Sequence, residues 1–349
     1  MATPVEAPST SDPTSIITAY LRDHSSIFGE LDELRKKGWT STEADAHFQK
    51  QRKRADEAGP AQQKNFFNMM CHLGDEMQKS TGAIALSKSE PAVLDLCAAP
   101  GGFIATALKH NPDATVCGIT LDKALGGHPL LVPHGGKDRR VAMLFLDINT
   151  LGIEPGLDAA EITSTSLFVD LPFFGQSFDL VFCDGKLLRT HFNYQEDRRD
   201  LDAQRLAFSQ LIIALQRTRQ GGTLIMLLHK VETWHTLQIL HAFSKFADLR
   251  LFKPERIHGN RSSFYMIATN VQPTSEAAQN AVEEWKGIWK EATLAKSSST
   301  REERSARPAT EEEEEVRKVL DDFGERVIEL AEPIWGVQKA ALSKQPWTQ

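Results

Sequence analysis

Acids and bases placed at the ends of apolar runs are the residues of this 349-residue chain with chemistry to offer. Asp95 stands inside the run Ala92, Val93, Leu94, Asp95, Leu96, Cys97, and Ala98, Ala99, Pro100, Gly101, Gly102 and Phe103 follow it. Side-chain-poor residues let a ligand lie against the main chain, and a helix starting behind them turns free N–H groups toward it. Gly101–Gly102 alone marks no more than a turn. A strand before it, a helix after it and an acid near the strand's end make a nucleotide-type site. Asp147 ends a second apolar run, VAMLFLD, and Asp184 a third, FDLVFCD. Lys230 ends a fourth, TLIMLLHK, which by itself reads as a surface lysine. Asp122, two residues beyond Thr120, is placed to accept ribose hydroxyls, and equally to cap a helix or stand solvated in a loop.

Bringing these residues together requires a parallel sheet. From residue 91 onward apolar runs of strand length alternate with helical patterns, which predicts an α/β fold with helices on both faces. Strands are expected over 92–97, 115–120, 141–146, 178–183, 223–228, 249–252 and 264–269, with Gly221–Gly222 turning into the fifth. Helices are expected over 103–110, 201–219 and 232–246, with a weak one between 123 and 137. In such a sheet ligands bind at the carboxyl ends of the strands, where Asp95, Asp147, Asp184 and Lys230 all fall. Residues 148–176 read as an insertion, and SLFVDLPFF within it as an extra edge strand limited by Pro172.

The flanks follow another pattern. Residues 1–14 are rich in Pro, Ser and Thr and read as a disordered tail. Residues 15–60 form a helical N-terminal extension, with a break near His24–Ser26 and Gly38 as a C-cap. Lys50, Arg52, Lys53 and Arg54 within it are either a solvated face or an acceptor-binding arm. A third helix, 61–79, begins the central domain of residues 61–270 and carries a Phe/Met stripe suited to core packing. Residues 271–349 form a C-terminal helical appendage, with a linker near 296–310 and Pro333 inside the last helix.

Composition excludes several classes. No apolar run approaches the ~18 residues that span a bilayer, so no membrane role is expected. The first residues lack a basic and an apolar signal region, and Glu6 and Asp12 disfavour a mitochondrial presequence. The four cysteines form no CxxC pair, so neither a disulfide framework nor a metal is expected, and the chain reads as intracellular, cytoplasmic or nuclear. A net charge of -7 gives no whole-protein attraction to nucleic acid and leaves room for a local basic groove.

DLCAAPGGF, residues 95–103, resembles the first motif of the FtsJ-like (RrmJ-type) ribose 2′-O-methyltransferases, which read DLxAAPGGF or DLGAAPGGW. The resemblance implies a Rossmann-like methyltransferase fold, with a seven-stranded mostly parallel sheet whose last strand runs antiparallel. It implies S-adenosylmethionine as cofactor, held by Asp95, Ala99, Pro100, Gly101, Gly102, Phe103, Asp122, Asp147 and Asp184, with Asp147 on the adenine amino group. It also implies methyl transfer to an RNA ribose 2′-hydroxyl, which must be held in line and relieved of its proton. Gly221–Gly222 to Lys230–Val231 resembles the family's GGxxxxKV segment, making Asp184 and Lys230 the central catalytic pair. The family's set is Lys-Asp-Lys-Glu, since a lysine serves as a base only when burial or another cation lowers its pKa. For its first lysine the third helix offers only Lys64 nearby, with Met69, Met70 or Cys71 as the other occupants of that place. KPERIHGNRSSFY, residues 253–265, is similar to the segment bearing the glutamate, and Ser263 stands in the glutamate's place, with Glu232 and Glu255 elsewhere.

The acceptor side carries Arg189, His191, Arg198 and Arg199, with Phe192 and Tyr194 interleaved, and Arg256, His258, Asn260, Arg261 and Ser262. These loops either contact RNA phosphates and bases or form a polar lid. A non-RNA acceptor, or a cofactor-binding interaction protein without catalysis, stays open beside the RNA reading, and the terminal helices offer surfaces for a protein partner.

Overall fold

Successive residues of the central strands enter two different cores. Leu94, Leu96, Val181, Cys183, Leu224 and Met226 join one, while Val93, Leu180, Phe182 and Ile225 join the other. A pleated strand turns alternate side chains to opposite faces, so near-continuous apolar runs demand cover on both. The computed structural model describes residues 12–56, 59–152, 154–158, 172–191, 194–195, 198–294 and 309–348. Its sheet comprises β1 Ala92–Leu96, β2 Thr115–Thr120, β3 Val141–Phe145, β4 Phe178–Cys183, β5 Thr218–His229, β6 Asp248–Phe252 and β7 Ser263–Val271. The strand order is β3-β2-β1-β4-β5-β7-β6. β7 pairs antiparallel with both β5 and β6, and the pairs among β1 to β5 are parallel. The order reverses between β1 and β4, which opens a crevice beyond their carboxyl ends.

Helices α1 Pro13–His24, α2 Ser26–Trp39, α3 Thr42–Asp56 and α4 Pro60–Thr81 precede the sheet, and α5 Gly102–His110 follows β1. Then come α6 Arg199–Arg217, α7 Trp234–Ser244, α8 Glu276–Leu294 and α9 Ala309–Leu342. α4 and α5 pack together and cover one face. α6 and α7 cover the other, with α8 on α6 and α9 on α2. Ser25 ends α1 and starts α2, where its hydroxyl accepts from the Phe28 amide at 3.4 Å. The two terminal regions pack on each other: the Phe28 and Trp335 rings lie 4.9 Å apart. Arg35 of α2 donates to Glu232 at 2.9 Å and to Gln338 of α9 at 2.7 Å, fastening both extensions to the tip of β5.

Several boundaries depart from the sequence reading. Pro13 and Thr14 are helical, because Pro13 suits a first helical turn behind the Asp12 cap. Gly38 lies inside α2, which ends at Trp39 with Thr40 as its cap. Gly221 and Gly222 belong to β5, which starts directly after α6, and Gly221 takes φ +76 where the pairing shifts register. Between 123 and 137 the chain makes only the 3-10 turn Lys123–Leu125. Residues 1–11, the 296–308 part of the expected linker and 166–171 of the expected edge strand lie outside the described residues. Among the described residues no helix is long and apolar enough to cross a membrane, and no three His, Cys, Asp or Glu gather as metal ligands.

Candidate functional site

The end of β1 is tied to the end of β2 before the chain turns away. The amides of Cys97 and Ala98 both donate to the Ile119 carbonyl at 2.9 Å, and the Ala99 amide donates to Thr120 Oγ1 at 3.2 Å. Gly101 then takes φ +102, a left-handed conformation that side chains resist, and α5 begins at Gly102. Met70 of α4 packs so closely on Gly102 that a β-carbon has no room there. The result is a cleft of about 570 Å³ across the carboxyl ends of β1, β2, β3 and β4.

Asp95, Ala99, Pro100, Gly102, Phe103, Asp147 and Asp184 line this cleft. Gly101 shapes the turn from behind, its Cα facing Val132 and Leu130. Asp95 is 1% exposed, and among the described residues neither of its carboxylate oxygens finds a hydrogen-bond partner. Burial, and then the charge of Asp184, push its carboxyl well above the usual range. A buried, partnerless acceptor is costly unless something supplies donors, and the amino group of an amino-acid cofactor would do so. Asp147 accepts from the Asn149 amide at 2.9 Å and contacts His191 Nε2 at 3.0 Å. Burial opposes ionisation there, but these hydrogen bonds prevail and hold its carboxyl below the ordinary value. A carboxylate kept ionised beside Ile148 suits an exocyclic amino donor. These groups fit S-adenosylmethionine.

Asp184 stands at the tip of β4, where it accepts from the Tyr265 hydroxyl at 2.9 Å. Burial raises its carboxyl to about 7, against the pull of Tyr265 and Lys186. Lys186, two residues on, also lines the cleft. Water reaches its side chain, yet protein crowds it: desolvation and then Arg261 push its ammonium pKa down, while Asp184 pulls it up. Lys186 and Tyr265 were missed in the sequence. An acid and a lysine two apart after a strand, in DGK, was the available signal for Lys186; nothing local marked Tyr265 as a partner for Asp184.

Three expected residues stand outside the cleft. Lys64 is exposed on α4, and Phe66 and Met70 of that helix reach the cleft instead. A helix presents one stripe inward, and Lys64 is on the other side of it. Lys230 adopts φ +50 and lays its ammonium 4.3 Å from the centre of the Trp39 ring. Desolvation lowers its pKa, with Glu232, Arg35 and Asp32 as the charges acting on it. Asp122 caps the 3-10 turn, accepting from the Ala124 amide at 2.7 Å. In the glutamate's place, Ser263 gives its carbonyl to Lys253 at 2.7 Å. Neither acid considered for that place reaches it: Glu255 is exposed, and Glu232 is paired with Arg35. His191, Tyr194 and Arg198 line the cleft, Arg189, Arg199 and Arg256 do not, and Phe192 lies outside the described residues.

A family model described as FtsJ-like methyltransferase matches residues 75–271, more than half of the chain. No curated protein matches. Among solved structures, one described as a ribosomal RNA methyltransferase of Plasmodium falciparum is 14% identical, with a TM-score of 0.39, and the match covers 58% of this chain and 96% of that one. An rRNA methylase of Streptococcus thermophilus is 12% identical, with a TM-score of 0.32 and coverage of 58% and 95%. Human methyltransferase-like protein 13, in complex with SAH, is 10% identical, with a TM-score of 0.34 and coverage of 67% and 94%. These likenesses say nothing of the acceptor.

Proposed function

The chain belongs to the FtsJ-like methyltransferase family, and from that premise we propose that it transfers a methyl group from S-adenosylmethionine to a ribose 2′-hydroxyl of RNA. The observation that carries this is the buried carboxylate of Asp95 beneath the glycine turn, without a partner among the described residues, in a cleft that also presents Asp147 and Asp184. When bound, the cofactor supplies an electrophilic methyl on a sulfonium. Asp95 and the turn from Ala99 to Phe103 would hold its amino-acid end, and Asp147 would take the amino group of its base. Asp184 works on the acceptor side. With a carboxyl near 7, it is substantially ionised at neutral pH and is able to hold the proton that the acceptor hydroxyl sheds. Lys186, which lines the same cleft and feels the Asp184 charge, would steady negative charge on the acceptor. Lys230 and Lys64, which the sequence pattern nominated, take no direct part in this arrangement.

Labelled methyl transfer to RNA tests the reading. The parent chain should label RNA, and alkaline hydrolysis should leave the label in resistant dinucleotides, because a 2′-O-methyl blocks cleavage at that ribose. Asp184→Ala should lose at least two orders of magnitude in rate while keeping its affinity for S-adenosylhomocysteine. Label found only in alkali-labile mononucleotides, or never in RNA, overturns the assignment. Ser263 in the family's glutamate position favours a non-RNA acceptor as the second reading, and label in a protein or small-molecule pool would support it.

A further inference from the structure

A second cavity of about 230 Å³ opens beside the cofactor cleft, and Lys186 is the one residue lining both. Its walls come largely from outside the family-matched segment of residues 75–271: Trp39 from the end of α2, Phe48 from α3, and Trp347 behind α9. Arg261 closes another side, with its guanidinium 5.8 Å from the centre of the Phe48 ring and a 2.6 Å hydrogen bond to Gln51. Trp39 is 60% exposed, an unusual state for so large an apolar ring. Aromatic faces beside cations are how proteins hold unpaired bases and their phosphates.

Resting on the RNA reading above, we infer that this cavity seats one unpaired nucleotide of the acceptor, its base stacked on Trp39 and its phosphate held by Arg261. The space is smaller than the ~300–1,000 Å³ of pockets for drug-sized ligands and suits a single base. The position also suits the reaction: a nucleotide seated there meets Lys186 at the threshold, and Asp184 lies two residues away on the cofactor side. The terminal extensions thus select single-stranded acceptor, while the family-matched segment holds the cofactor. Ser263 gains a role as part of this cavity's lining, in place of the acid expected there.

The test measures binding of the full chain to one oligoribonucleotide, either single-stranded or annealed to its complement, in parallel with binding of S-adenosylhomocysteine. The parent should prefer the single strand by at least tenfold. Trp39→Ala should weaken single-strand binding about 5- to 150-fold, the range for losing one base–aromatic stack. Trp39→Tyr should restore most of the affinity, and cofactor binding should stay unchanged in both, with both variants folded at the assay temperature. Equal affinity for duplex and single strand, or a Trp39→Ala variant that binds like the parent, overturns the seat while leaving the methyltransferase reading intact. A parent that binds S-adenosylhomocysteine but neither form of RNA overturns the RNA reading and the seat with it.

Discussion

Replacing Asp95 by asparagine should stabilise the ligand-free protein and disable cofactor binding at the same time. The native carboxyl is 1% exposed, has no hydrogen-bond partner among the described residues and titrates well above the usual range through burial and the Asp184 charge. In the unfolded chain it titrates near 3.9. Above that pH the unfolded chain has released a proton that the native state still holds, so native stability falls as pH rises until the folded carboxyl ionises too. Each pH unit in that window costs about 1.4 kcal/mol. The asparagine side chain cannot ionise and escapes this cost, so Asp95→Asn should be more stable than the parent at pH 8, with a smaller gain at pH 5. The melting temperature should rise by roughly 2–4 °C per kcal/mol. Ligand works in the opposite direction. S-adenosylhomocysteine at a hundredfold excess over its Kd stabilises the parent by about 2.7 kcal/mol. Loss of a charged hydrogen bond of about 1.5–3 kcal/mol weakens binding roughly 10- to 150-fold and removes from about half to nearly all of that stabilisation. Thermal unfolding at the two pH values, with and without ligand, reads both effects. A variant no more stable than the parent at pH 8, or one showing the parent's full ligand shift, refutes the reasoning.

Arg35→Met should cost about 3–5 kcal/mol in urea unfolding, because it strands the buried Glu232 charge, and Arg35→Met with Glu232→Leu should recover most of it. Lys253→Met removes a buried ammonium that donates to the carbonyls of Arg261 at 2.5 Å, Ser263 at 2.7 Å and His258 at 3.4 Å. It should cost about 1–3 kcal/mol and speed amide exchange across residues 258–263, the edge of the second cavity. Burial lowers His235 to about 4, so its contribution is intact above pH 6.5 and is lost as pH falls toward 4. His235→Phe should therefore flatten the acid limb of the stability profile, exceeding the parent's relative value by about 2 kcal/mol at pH 5.

Period and punctuation made the sheet legible. Buried parallel strands must be apolar on both faces, so their runs stood out, and the side-chain-poor turn after Asp95 announced a ligand against the main chain. Asp95, Asp147 and Asp184 were legible for the same reason, since residues at or just past the end of a strand lie at the sheet's carboxyl edge wherever the strand is placed. Boundaries were less legible. Gly221–Gly222 looked like a turn, but ladder pairing on both sides absorbed the two glycines as an irregularity within β5.

The lysines mark the division between sequence and tertiary structure. Lys230 follows its strand directly, yet the direction of a side chain after the last ladder bond depends on what packs around it. Here α2, held down by Arg35, presents Trp39, and the Lys230 ammonium settles on that ring. Lys186 carries a weaker sequence signal and becomes the residue shared by the two cavities. The sequence alone determined the sheet, the glycine turn and the three strand-end acids, because these follow from local periodicity and backbone sterics. Only the tertiary structure decided which lysine borders the cleft with Asp184 and what lines the second cavity, because that lining brings together residues 39, 186, 261 and 347, which no local pattern relates.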